Sequence, residues 1–384
     1  MIKLLNYPHP YKAWLSISND PDNTTIEAWN DLNDFIFNDL KLDWANSIFI
    51  FSYNLNLPNQ VSLDKNPEIA SQPADTIHSW GDFVHSGQRG FSRADAEAGI
   101  LLLKKHNIQP YVWVDHSRFA GNMVHKNNWG AVPYHSDSSG NKYTVFEYTL
   151  DLAKQLGISY IWDGKLTQHI GQDRNLKLND HLSQYSFLGK IRFLLLNWFK
   201  FLIPGLFSFS NNKQYQENTF LDGNRLYLFK RFGNWRDADI SGLAMVLSAA
   251  NINKLIQSGG TMLAYTHLGK TNPKFIDKAH IPEETKVCLR YVKQKVESKE
   301  LLFTPVSKML DYLVLRDNIV IRKDEIHFVS DGIRFAGLTR EDLIGHKFSF
   351  KGISDINNLT VKVQGQDIKP AFLRHSNGIV DLIL

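Results

Sequence analysis

The chain of 384 residues, 43% apolar and 21% charged, can bury a sizeable core in one large α/β domain or two smaller ones, which excludes a disordered chain and a peptide-sized scaffold. Lys and Arg total 43 against 39 Asp and Glu, a net charge of +4 without the basic excess of a nucleic-acid binder. The single cysteine, Cys288, excludes an intrachain disulfide and a cysteine-rich zinc cluster, and suits a reducing compartment.

In chain order, Asn6, Pro8, His9 and Pro10 interrupt the opening MIKLLNYPHPYKAW before a leader-like apolar run forms, so a cytoplasmic protein is expected. Seven short runs rich in β-branched and aromatic residues then read as strands: 13–18, 47–52, 75–78, 111–115, 158–162, 225–230 and 261–266. Most are about 25 to 50 residues apart, the spacing of parallel strands joined by crossover helices. Ser92 with Asp95 opens a helix over 93–106, and Thr144 with Glu147 opens one over 145–156, which Gly157 stops. Asp239 caps a helix to 257, closed by Gly259 and Gly260. The pattern predicts an α/β fold, a distorted (β/α)7 barrel of parallel strands over 1–315, with a doubly wound open sheet as the alternative.

Two regions depart from this rhythm. An insertion is expected at about 164–224, and it carries an apolar, aromatic stretch at 187–203 punctuated by Lys190, Arg192 and Lys200. This stretch reads either as an amphipathic helix on a membrane surface or over an amphiphilic ligand, or as a helix packed on the barrel. Its most apolar window, 193–209, is broken by Lys200 and Pro204, too short and too charged for a spanning helix. Beyond 301, a helix over 303–315 is followed by strands at 318–321, 325–329, 347–350, 359–363 and 378–384, a small β-rich C-terminal module over 316–384.

In parallel barrels the active site is built at the C-terminal strand ends. Here those ends read Ser18-Asn19-Asp20-Pro21-Asp22, His78-Ser79-Trp80-Gly81-Asp82, Asp115-His116-Ser117, Trp162-Asp163, Lys230-Arg231 and Thr266-His267. Carboxylates and imidazoles converging without cysteine suit a divalent ion of the zinc type with one open position, and an ion of this kind activates water for hydrolysis of an amide or ester. Trp80, Trp113, Trp162 and Trp235 would either offer flat apolar faces to sugar rings or pack in the core. No GxGxxG or GxxxxGK[ST] follows a strand, and Gly87-Gln88-Arg89-Gly90 has no phosphate role, which disfavours a nucleotide enzyme.

These strand ends resemble the polysaccharide deacetylase (NodB-homology) family over residues 11–315. The resemblance implies a distorted seven-stranded barrel that removes acetyl groups from N-acetylated sugars with metal-activated water. The family's first motif, an Asp-Asp pair of base and metal ligand, falls on Asn19-Asp20; Asp20 becomes a ligand, Asn replaces the base, and Asp22 is the substitute base. The second motif, His-Ser/Thr-x-x-His, falls on His78 to Asp82, so the third ligand is Asp82 or, from the neighbouring strand, His116. The last motif falls on His267 as general acid for the leaving amine, and Asp163 and Arg236, beside Trp162 and Trp235, would line the groove and tune that acid. The implied substrate is an N-acetylated (or O-acetylated) sugar in a glycan or glycan precursor, with Zn2+ as cofactor. Apart from the resemblance, the basic aromatic insertion in a chain without a leader-like run suggests peripheral membrane contact through 187–209 and a substrate built at the inner face of the membrane, such as a lipid-linked sugar or a glycan derived from a nucleotide sugar. Two other readings keep the barrel: a metal-free glycoside hydrolase using Asp20 or Asp22 with Asp163, and a non-catalytic carbohydrate-binding protein that has lost its base at Asn19.

Overall fold

Strands buried on both faces read as near-continuous apolar runs. The runs found in the sequence are strands in the computed structural model, which describes residues 2–55, 57–83, 91–115, 134–136, 142–144, 148–174, 176, 180, 182, 187–202, 212–220, 222–233, 242–270 and 281–384. They are β1 Ala13–Asn19, β2 Asn46–Ile48, β3 Ala74–His78, β4 Val112–Val114, β5 Tyr160–Thr167, β6 Arg225–Phe232 and β7 Thr261–Thr266, joined by an unanticipated β8, Leu301–Phe303. The order β8-β1-β7-β6-β5-β4-β3-β2 is parallel throughout. The sheet curls so that β2 returns to the flank of β1, giving an open half-barrel of eight strands. An antiparallel strand, Tyr215–Thr219, clips onto β6 from the insertion.

The helices are α1 Ile26–Asn33, α2 Arg93–Lys105, α3 Leu150–Gln155, α4 Phe187–Leu202, α5 Leu243–Val246, α6 Ala249–Ser258, α7 Glu283–Glu297 and α8 Val306–Asp317. The Ser92–Asp95 capping box opens α2 as expected. Thr144 does not open α3: it ends a strand, Lys142–Thr144, and Thr149 occupies the N-cap instead. The single helix expected up to 257 is two, α5 and α6, and its expected cap Asp239 lies outside the described residues. The last helix starts at Val306 rather than 303, because Leu301–Phe303 pairs with β1 and Pro305 steers the residue before it away from helical backbone angles.

Alternation along the strands sorts side chains to two faces. Leu15, Ile17, Met262 and Ala264 pack outward with Leu32, Leu255 and Leu289 of the helices. Trp14, Val112, Tyr160, Phe229 and Leu263 point inward, where Met309, Leu310, Tyr312 and Leu313 of α8 meet them. Three bonds fix this helix against the N-terminal strand ends: Trp14 Nε1 donates to Thr304 Oγ1 (2.8 Å), Tyr160 OH to Asp311 Oδ1 (2.7 Å), and Ser307 N to Asp75 Oδ2 (2.7 Å). Helix α8 therefore fills the N-terminal end of the half-barrel, and the interior at the C-terminal end is left to polar side chains. Tyr160→Phe should lower the unfolding free energy by roughly 1–2 kcal/mol, because Asp311 keeps its Arg334 partner; urea titration measures this.

The chain beyond α8 forms β9 Ile319–Arg322, β10 Glu325–Phe328, β11 Lys347–Lys351, β12 Thr360–Val363, β13 Gln366–Ile368, β14 Ala371–Arg374 and β15 Ile379–Ile383. One sheet runs β9-β10-β12-β13; the other runs β11-β15-β14 with Lys3–Leu4 of the chain start added antiparallel to β11. The insertion leaves and rejoins the body at one place. Gln172 bridges Thr261, Asp173 N donates to Asn212 O (2.7 Å), and Asn212 Nδ2 donates to Gly171 O (2.7 Å). Backbones approach so closely there that a Cβ on Gly260 would meet Gln172 O at 2.6 Å and Gly171 Cα at 2.7 Å.

Candidate metal centre at the strand ends

The inward face changes character along each strand. On β1, Trp14 is followed by Ser16, Ser18 and Asp20; on β3, Thr76 by His78; on β6, Phe229 by Arg231; on β7, Leu263 by Tyr265 and His267. The period of two carries these polar side chains to one end of the half-barrel, where Asp20, His78, Arg231 and His267 are all buried.

Asp20 and Arg231, with fully buried side chains, form a two-pronged ion pair: Arg231 Nη1 donates to Oδ1 at 2.6 Å and Nη2 to Oδ2 at 3.0 Å. Nη1 also reaches Ser18 Oγ at 2.9 Å, and the guanidinium carbon sits 3.3 Å from the Trp162 ring centre and 4.1 Å from that of Tyr265. Two aromatic rings beside the guanidinium offset the desolvation of a buried cation. Burial alone would raise the Asp20 pKa, but Arg231, and after it His78, outweigh burial and hold the carboxyl below its ordinary range.

His78 stacks on Phe49, ring centres 4.9 Å apart. Its Nε2 lies 3.6 Å from Asp20 Oδ2 and 3.5 Å from Asp22 Oδ2. Burial disfavours its charged form, yet Asp20 and Asp22 outweigh burial and raise its pKa. Asp22 Oδ2 is also 3.1 Å from His267 Nε2, which in turn lies 3.3 Å from Tyr265 OH. Among these groups the Asp22 side chain is the most open, 19% exposed, so solvent reaches the cluster through it.

Asp20, Asp22 and His78 each offer a ligand atom, all within 4.8 Å of one another, and the group can hold a metal ion. The donors fit one. Ligands about 2.0–2.1 Å from a tetrahedral ion stand roughly 3.3–3.4 Å apart, close to the separations of His78 Nε2 from the two carboxylates.

The remaining residues named from the sequence fall elsewhere. Asp82 Oδ2 accepts from Asn54 Nδ2 (2.9 Å) and Gln60 Nε2 (3.1 Å) and is not in the ligand group. The reason is local: Ser79 has φ +53°, and Gly81–Asp82 is a short strand paired with Phe51–Ser52, so no helical turn returns residue 82 to the face of His78. Asp163 is buried after Trp162 on β5. His116, Trp235 and Arg236 lie outside the described residues. Trp80, Trp113 and Trp162 are at most 1% exposed, which selects core packing over the sugar-facing alternative: Trp80 and Trp113 pack against each other, and Trp162 covers Arg231. Asn19 exchanges hydrogen bonds with the backbone of Leu268, pinning the end of β1 to the loop that carries His267.

Sequence reading gave Arg231 no role. The signal was present: a strand whose inner positions are otherwise apolar cannot carry a cation inward without a buried anion to meet it.

A second group with ligand spacing, His9, His375 and Asp381, joins two parts of the chain. Asp381 Oδ2 accepts from His375 Nε2 (2.9 Å) and Lys347 Nζ (3.1 Å), Ser349 Oγ donates to Oδ1, and Lys347 also donates to His9 O (2.6 Å). These bonds tie the start of the chain to the C-terminal sheet. Burial raises the Asp381 pKa, but the Ser349, His375 and Lys347 bonds outweigh it and lower the net value. Its contribution to stability is thus complete above the unfolded value of 3.8 and is lost as pH falls through the lower folded value. Asp381→Asn should cost roughly 1–3 kcal/mol at neutral pH, with the gap to wild type closing in acid; urea titrations across pH check this.

The fold and site together define a curled parallel α/β half-barrel with a carboxylate–imidazole centre at its C-terminal strand ends. No protein-family model, no curated protein and no solved structure matches the chain.

Proposed function

We propose that this chain is a metal-dependent hydrolase that removes an N-acetyl or O-acetyl group from a sugar, in the manner of the polysaccharide deacetylases its strand ends resemble. The observation that carries the reading is the placement of His78 Nε2 at tetrahedral-edge distance from two carboxylates, with a second imidazole, His267, on one of them.

Asp20, Asp22 and His78 would hold the ion, and their oxygen and nitrogen donors suit zinc. When bound, such an ion supplies Lewis acidity, acidifying water and polarising an acyl carbonyl. Arg231 fixes the orientation of Asp20 and offsets one of the two carboxylate charges. Asp22, expected from sequence to be the base, is shared between the ligand group and His267. Proton handling therefore falls to His267, with Asp22 accepting from its ring and stabilising the imidazolium, and His267 delivers the proton to the leaving sugar amine or hydroxyl. Asn19 holds the loop of His267 rather than a proton.

The test is acetate release from N-acetylated and O-acetylated oligosaccharides with zinc present. Wild type should release acetate from one of them, and His78→Ala should release none. A protein that binds zinc and the oligosaccharide but releases no acetate would instead be the carbohydrate-binding form of the same barrel.

A further inference from the structure

Helix α4 is amphipathic the wrong way round for a packed surface helix. At 3.6 residues per turn, Phe187, Leu188, Ile191, Leu194, Leu195 and Trp198 share an arc of about 120°. A helix on a protein surface turns that arc inward. Here it is the solvent side: Phe187 and Leu188 are each 76% exposed, Leu195 67%, Trp198 61%, Ile191 42% and Leu194 38%. On the opposite side Gly189 and Phe193 are half-buried while Leu196 is 63% exposed, so the helix meets the rest of the protein along a narrow strip only. A contiguous exposed apolar face of this kind marks an interaction surface.

Charge and length identify it. The helix carries Lys190, Arg192 and Lys200 and no Asp or Glu. Lys190 and Arg192 are exposed and fall on the two edges of the apolar arc, where long cationic side chains reach headgroup phosphates while the apolar face sinks between acyl chains. At 1.5 Å per residue, its 16 residues span about 24 Å, less than the roughly 30 Å of hydrocarbon a crossing requires, and among the described residues no helix is long and apolar enough to cross a membrane.

We propose that α4 is an in-plane anchor that binds the surface of an anionic lipid bilayer. The insertion carrying it leaves and rejoins the body at the N-terminal end of β7, away from the metal centre, so the proposal stands independently of the hydrolase reading.

The experiment is co-sedimentation of the full chain with phosphatidylcholine vesicles and with vesicles of equal parts phosphatidylcholine and phosphatidylglycerol. Wild type should sediment with the anionic vesicles and weakly or not at all with the neutral ones. Leu195→Glu/Trp198→Glu should weaken binding by about tenfold or more, and Lys190→Glu/Arg192→Glu should remove the preference for anionic lipid. Met245→Glu, at an exposed apolar residue of another helix, should bind as wild type. All these positions are exposed, so circular dichroism should show folded variants. Failure of folded wild type to bind anionic vesicles would overturn the proposal. So would concentration-dependent self-association abolished by Leu195→Glu/Trp198→Glu, which would make the face a contact between copies of the chain.

Discussion

Arg231→Met is expected to lower the unfolding free energy by about 3–5 kcal/mol, the cost of leaving a buried carboxylate without its partner. Asp20 is fully buried, both its oxygens accept from Arg231, and the guanidinium lies against Trp162 and Tyr265 in place of water. Methionine fills much of the volume but supplies no charge, so Asp20 keeps only the longer contact to His78 at 3.6 Å or must take up a proton. Arg231→Lys should recover only part of the loss, since an ammonium cannot make the two-pronged contact or stack on both rings. The double variant Asp20→Asn/Arg231→Met should be less destabilised than Arg231→Met, because the stranded charge is gone. Urea titration of the three variants measures these differences; Arg231→Met within about 0.5 kcal/mol of wild type would contradict the clamp.

The second large effect is on turnover. His267→Asn is expected to lower kcat for acetate release by roughly 10²–10⁴-fold, the usual worth of a positioned acid or base, with metal content unchanged because His267 is outside the ligand group. Its Nε2 is held by Asp22 at 3.1 Å and by Tyr265 OH at 3.3 Å, so the ring is oriented before substrate arrives. Full turnover in His267→Asn would remove the proton-donor role while leaving the metal centre in place.

Much of this was legible in the sequence, for a physical reason. Strands of a parallel sheet are buried on both faces, so their runs are apolar, and a polar residue at the end of such a run marks the rim. Asp20, His78 and His267 were found that way. Asp82, one of two candidates for the third ligand beside His116, rests on the spacing of the resemblance's second motif alone. The chain instead turns left-handed at Ser79, and Gly81 lies so close to Phe51 that an added Cβ would be 2.4 Å from its carbonyl oxygen. Backbone path decides such cases, and spacing does not reveal it. Strand β8 was missed because its three residues are too few to show a period, and its pairing with Ala13–Leu15 is a long-range contact. The apolar arc of α4 could be read from the sequence; the side on which the protein lies could not, because periodicity fixes a face without its direction.

The most direct test of the account is the metal content of the purified protein, by elemental mass spectrometry before and after equilibration with zinc, beside His78→Ala and Asp22→Asn. About one ion per wild-type chain is expected after equilibration, as for a single three-residue donor set, and little or none in His78→Ala, with both proteins folded. A folded wild type that takes up no ion, or a His78→Ala protein that takes up as much as wild type, would contradict the assignment of Asp20, Asp22 and His78 as a metal centre.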